Sequence, residues 1–169
     1  VINAYLTSVL QASDQQLTLG LDSLPRARWG TKEVEIVDLQ LLDSNGTPRS
    51  TFSSGEKVAI RISYLAHQKI ERPVFSITLF TEDGVEITRL DTHTSGADIG
   101  EIEGRGEVDC TIHSLPFLKG RYELSGGIYD RDTKQPYDHH HRMYRFTVEP
   151  QGKPRSEGII DLPWEWRGG

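Results

Sequence analysis

The chain has 169 residues, enough for one domain with a core of its own and too few for two large ones. Its 19 basic and 25 acidic residues leave a net charge of −6, and the basic residues are scattered, which excludes a phosphate-tracking nucleic-acid surface. No run of hydrophobic residues exceeds three, as in Val58-Ala59-Ile60, whereas a membrane-spanning helix needs about 20.

The sequence opens at Val1 without the charged start and apolar stretch of a signal peptide, and it reads as a piece of a longer protein. Over residues 1–19, Ile2, Leu6, Val9, Leu10 and Leu17 recur at roughly helical spacing, predicting a short amphipathic helix that stops at Gly20. Residues 21–30 carry Pro25 and Gly30 without a period and read as a linker, so the folded domain is expected to begin near Trp29. From residue 33 the texture changes to short alternating segments. In the clearest, Val58, Ile60, Ile62 and Tyr64 share one face, and Ala59, Arg61 and Ser63 share the other. Strands are expected over 33–42, 58–64, 74–81, 85–91, 107–113, 120–130 and 143–149. The turns between them place Gly46, Gly55 and Gly84 where positive φ is cheap. Seven short, tightly linked strands predict an all-β antiparallel sandwich. After Gly152 and Pro154, a linker composition, the tail ends in a strand-like segment carrying Ile159, Ile160, Leu162 and Trp164.

In this order stand Arg28-Trp29-Gly30, a strand, an Asp-x-x-Gly turn from Asp43 to Gly46, Gly120-Arg121-Tyr122, Tyr129-Asp130, Tyr137-Asp138-His139, Phe146-Thr147-Val148 and Pro163-Trp164. The series resembles the C-terminal carbohydrate-binding domain of the ATP-binding subunit of bacterial ABC exporters for O-antigen polysaccharide. The resemblance implies that the sandwich is immunoglobulin-like, and it implies a boundary: residues 1–27 form the last helix of a nucleotide-binding domain plus a linker, and 28–169 form the carbohydrate-binding sandwich with its C-terminal exchange strand. It implies a non-catalytic module that recognises a lipid-linked O-antigen polysaccharide, at its modified terminus, and couples it to export. It further implies a homodimer that exchanges the last strand, attachment to a membrane-spanning transporter subunit through the nucleotide-binding domain, and a cytoplasmic location peripheral to the inner membrane. No cofactor is expected, and no G-x-x-x-x-G-K-[ST] phosphate loop occurs in the sequence. The other function weighed is a purely structural dimerisation domain. Which sugar is read, and by which residues, does not follow from the resemblance.

Alternation assigns Phe75, Ile77, Leu79, Tyr122, Leu124, Ile128, Tyr144, Phe146 and Val148 to the core. The opposite face then offers Ser76, Thr78, Ser125, Gly127, Tyr129, Met143, Arg145 and Thr147. Such a mix suits a sugar, whose hydroxyls need paired donors and acceptors and whose C–H faces prefer an aromatic platform. Ser76, Thr78, Ser125, Tyr129 and Arg145 are therefore candidate glycan contacts, with His93 and His141 at the rim. Polar residues on an exposed sheet face are equally the ordinary state of a sandwich. A metal at His139-His140-His141 is disfavoured, because consecutive strand residues point to opposite faces, and Asp138 is expected in a tight turn. Arg28 and Trp29 read as an anchor where the linker enters the sandwich, ahead of the alternative, a ligand platform. Cys110, sharing its face with Val108 and Ile112, reads as a buried hydrophobe, and as the lone cysteine it fits a reducing compartment.

Overall fold

The computed structural model describes residues 28–153 and 156–169. The helix and the boundary expected at 1–27 lie outside the described residues. Among the described residues nine strands form two layers: β1 (Arg28–Trp29), β2 (Val34–Leu42), β3 (Thr51–Ser53), β4 (Val58–Glu71), β5 (Val74–Thr81), β6 (Glu86–Asp91), β7 (Glu101–Ile112), β8 (Gly120–Tyr129) and β9 (Pro136–Glu149). One sheet runs β1-β9-β8-β5-β6, with β3 also paired to β9, and the other runs β2-β4-β7. Every pairing is antiparallel except β3 with β9. The chain is thus an all-β antiparallel sandwich, as the alternation predicts, and immunoglobulin-like, as the resemblance implies.

The inner faces supply the core. Ile60, Ile62, Ile77, Leu79, Leu124, Ile128, Phe146 and Val148 are each at most 2% exposed, and Tyr144 packs against them half-buried. The aromatic side of the core is a stack: Phe117 lies 4.7 Å from Tyr122, which lies 5.4 Å from Phe146. Three strands are longer than expected from alternation. β4 runs on to Glu71, β7 begins at Glu101 and β9 begins at Pro136. In β7 the hidden stretch contains Gly104 and Gly106, and the second is required by packing. A Cβ there would lie 2.2 Å from the Tyr64 hydroxyl, so the inward position is filled from the neighbouring strand.

At the β6 and β7 edges the layers leave a cleft of about 430 Å³ walled by Phe75, Ile77, Leu90, Val108 and Cys110. Cys110 is half-buried there and burial raises its thiol pKa, which makes it a poor nucleophile at neutral pH. The tail bridges back to its own chain at Phe117 and Ile160, with the Leu118 N–H donating to the Ile159 carbonyl at 2.8 Å and the Asp161 N–H to the Pro116 carbonyl at 2.7 Å. Beyond this clip Leu162 is 64% and Trp166 88% exposed.

Candidate functional site: the outer face of the larger sheet

The pairing register gathers the polar and aromatic residues into cross-strand rows. The first row reads Trp29, His139, Gly127, Ser76, Asp91 across β1, β9, β8, β5 and β6. The next reads Ser125, Thr78, Arg89, and a third reads Arg145, Glu123, Phe80, Glu86. Neighbours in a row stand one strand apart, about 4.8 Å, so each row sets its side chains side by side across the sheet.

Gly127 shapes the first row. A Cβ there would lie 2.5 Å from Tyr129 Cε2, so glycine is what lets the Tyr129 ring lie down over the sheet. Its hydroxyl is hydrogen-bonded to His139 Nδ1 at 2.7 Å. On the other side of His139 stands Trp29, with ring centroids 4.3 Å apart, and His141 lies 6.0 Å from both His139 and Trp29. Phe80 meets His141 edge-on at 5.7 Å. Trp29, His139, Tyr129 and His141 thus form a continuous aromatic platform, with Phe80, 7% exposed, supporting His141 from beneath. Burial, with the neighbouring His141 and Arg89, pulls the His139 pKa down to about 3, and burial raises Tyr129 to about 12. Burial and the nearby Arg142 also lower His141. The platform is therefore uncharged at neutral pH, a neutral donor and acceptor surface of the kind that packs against C–H groups and hydroxyls.

A bulge supplies the charged border. Between Gly126 and Leu124 the β9 strand carries extra residues, and Arg142 there adopts φ 50°. Its N–H donates to Ser125 Oγ at 2.8 Å and its Nε to Glu123 at 2.6 Å, and its Nη2 donates to the Glu82 carbonyl at 3.1 Å. Arg145 shares Glu123 at 3.2 Å. A smaller cleft of about 270 Å³ opens beside them, lined by Arg121, Glu123, Arg145 and Thr147 among others.

The sequence-predicted contacts fall into three groups. Tyr129 and His141 belong to the platform, while Arg145 lies further along the same face, paired with Glu123. Ser76, Thr78 and Ser125 share it but are only 7, 4 and 1% exposed, lying beneath longer neighbours. They form the floor, not the contact surface, because small side chains between aromatic and arginine neighbours are roofed by them. His93 stands apart, exposed in the turn that follows β6. Trp29 and His139, weighed singly as a platform and a rim donor, come together with Phe80 on one surface, which the alternation alone does not show. Phe80 carried a signal, being a large apolar residue at the same parity as Ser76 and Thr78. Asp138 is not in a turn but inside β9, wholly buried on the inner face, where Arg28 donates to it. The bulge in β2 after Ile36 frees the Ile36 N–H, which donates to Asp138 at 2.8 Å and so joins the two sheets. His140 points inward with it, its Nδ1 hydrogen-bonded to the Tyr144 hydroxyl at 2.6 Å. Hence the three histidines do divide between faces, and among the described residues no three His, Cys, Asp or Glu side chains are grouped to hold a metal ion.

The fold and this face define an immunoglobulin-like β-sandwich domain whose polar and aromatic chemistry is spread over one sheet surface. The chain belongs to the Wzt C-terminal domain family, whose model matches residues 25–162. This makes it part of a component of ABC exporters of O-antigen polysaccharide. The crystal structure of the C-terminal domain of Wzt superposes with TM-score 0.75 at 15% identity, covering 85% of this chain and 88% of that one. A Niemann-Pick type C2 protein from Japanese carpenter ant reaches TM-score 0.47 at 9% identity, covering 75% of this chain and 99% of that one. No curated protein matches the chain. Among the described residues no helix is long and apolar enough to cross a membrane.

Proposed function

We propose that this domain is a non-catalytic carbohydrate-binding module that holds an O-antigen polysaccharide on the outer face of its larger sheet and couples that recognition to export. The observation that carries the reading is the uncharged platform of Trp29, His139, Tyr129 and His141, supported by Phe80, with Arg89 and Arg142 beside it and Arg145 further along the same face. Aromatic faces meet the C–H faces of sugar rings, and the arginines and neutral imidazoles supply donors and acceptors to hydroxyls. The open, sheet-wide shape suits a chain better than a small enclosed molecule. The reading includes recognition of the modified terminus of the lipid-linked glycan, on the cytoplasmic side of the inner membrane.

Titration of the domain with lipid-free O-polysaccharide from the strain that encodes it tests this. Saturable binding that is weakened by Tyr129→Ala and Arg145→Ala is the expected result. An absence of saturable signal at millimolar chain ends would favour the second reading, a dimerisation element, which the exposed Ile159, Leu162 and Trp166 of the tail support. In either reading the tail joins two copies of the chain by strand exchange, the clip it makes here on residues 116–118 of its own chain passing to the partner's.

A further inference from the structure

Trp29 reaches the platform from a strand of two residues, too short to hold a register by its own ladder. Its neighbours do the holding. Gly30 sits with φ 141° directly on β9, where a Cβ would lie 2.3 Å from the Tyr137 carbonyl oxygen and 2.8 Å from Asp138 Cα. The N–H groups of Thr31 and Lys32 donate to the carbonyls of Pro136 and Tyr137 at 3.2 and 2.8 Å. Arg28 donates from Nε and Nη2 to the two oxygens of Asp138 at 3.0 and 2.7 Å, and the Lys32 ammonium also donates to Asp138. Adjacent strand residues point to opposite faces. Arg28 therefore docks inward on a wholly buried carboxylate while Trp29 stacks outward on His139. A buried carboxylate demands its partners, so the inward side is a lock.

We propose that β1 is a latch: Arg28, docked on Asp138, positions Trp29 as the edge wall of the outer-face site, and a sugar chain bound against Trp29 braces β1 on β9, so that occupancy is felt by the chain leading into Arg28. The latch rests on the glycan reading of this face. Its logic is reciprocal. A ligand that touches Trp29 only when β1 is docked must shift the docking equilibrium by the same factor by which docking improves its affinity.

The test uses Arg28→Gln, Trp29→Ala and the double variant in the full chain, titrated with the same lipid-free O-polysaccharide. Arg28→Gln leaves Asp138 paired with Lys32 and the Ile36 N–H. Each single variant is expected to bind about tenfold more weakly, and the double variant no more weakly than Trp29→Ala, because Arg28 acts through Trp29. Saturating polysaccharide should slow amide exchange at Thr31 and Lys32 by about tenfold in the parent and leave it unchanged in Trp29→Ala. Should Arg28→Gln not fold, Arg28→Lys, which keeps the charge but loses the paired geometry, carries the same comparison. Losses that multiply in the double variant, or parent-like binding by the Arg28 variant, overturn the latch. So does binding that leaves the two amides exchanging at their free rate. A parent that binds no polysaccharide defeats the glycan reading instead. The latch is then judged without ligand: faster exchange at Thr31 and Lys32 in Arg28→Gln supports it, and unchanged exchange overturns it.

Discussion

Two adjacent glycines separate the site from the core, and exchanging each for alanine should have opposite consequences. Gly127 faces outward beneath Tyr129, and a Cβ there lies 2.5 Å from Cε2 and 2.8 Å from the hydroxyl, well inside contact distance. In Gly127→Ala the ring must swing away and give up its bond to His139 Nδ1, now 2.7 Å. The stability terms are small and partly offset one another. The lost hydrogen bond costs about 0.5–1.5 kcal/mol and a displaced tyrosine rotamer about 0.5–1.5 kcal/mol. The stiffer unfolded chain returns about 0.4–1 kcal/mol. The net destabilisation is about 1 kcal/mol, while affinity for the O-polysaccharide drops about tenfold because the centre of the platform has moved. Gly126 faces the other way, and a Cβ there lies 2.8 Å from Leu39 Cδ1 and 3.5 Å from Ile36 Cδ1. Gly126→Ala overpacks the core by about 1–3 kcal/mol and leaves affinity unchanged. Urea melts paired with calorimetric titration read both quantities. If Gly127→Ala binds like the parent while its Tyr129 ring resonances show that the ring has moved, the platform is not the site. If it loses more than about 3 kcal/mol, the assignment of faces is wrong.

Leu124→Ala removes a side chain that is 0% exposed and should cost about 2–5 kcal/mol in a denaturant melt, with affinity measured in the folded fraction unchanged. Deleting residues 158–169 removes the two backbone bonds to Pro116 and Leu118 and the exchange segment, and sedimentation should show a dimer replaced by monomers or aggregates. Acid should weaken the fold through His139. Its folded pKa of about 3 lies below the ordinary 6.5, so below pH 6.5 the unfolded chain binds the proton that the folded one refuses. The parent should therefore lose about 2 kcal/mol more than His139→Gln between pH 7.5 and pH 5, measured by melts at both pH values.

The sandwich was legible where apolar residues alternate without interruption, as from Val58 to Tyr64. It was illegible where the inward positions are not apolar. In β9 the inward residues ahead of Tyr144 are Asp138 and His140, polar groups satisfied only by partners far along the chain, Arg28, Lys32 and Ile36 among them. No local period marks such a strand. Burial raises the Asp138 pKa, but the contacts of His140, Arg28, Lys32 and the Ile36 N–H outweigh this and hold it well below the usual carboxylate range. The face of the site was readable by parity, since Ser76, Thr78, Ser125, Tyr129 and Arg145 do lie on one side. What parity could not give is which residues roof the others, because that depends on side-chain length across strands and on the Arg142 bulge. Nor could it give β1, whose two residues are too few to carry a period.

The strand β9 ties the two ends of the molecule together. Near one end it receives Trp29 opposite His139, and at the other the Ser54 N–H donates to the Glu149 carbonyl, close to where the tail clips onto residues 116–118. These points lie about 30 Å apart along the strand. A pull that draws the two ends apart runs along β9, across hydrogen bonds that lie perpendicular to it and must slip together. Against the same load β1 sets its two paired residues, the Thr31 and Lys32 amides, and the contacts of Arg28 and Lys32 with Asp138. Under tension the sandwich therefore yields first at β1, peeling Arg28 and Trp29 away while the sheets stay whole, and the contacts of Arg28 and Lys32 with Asp138 set the force at which it does so.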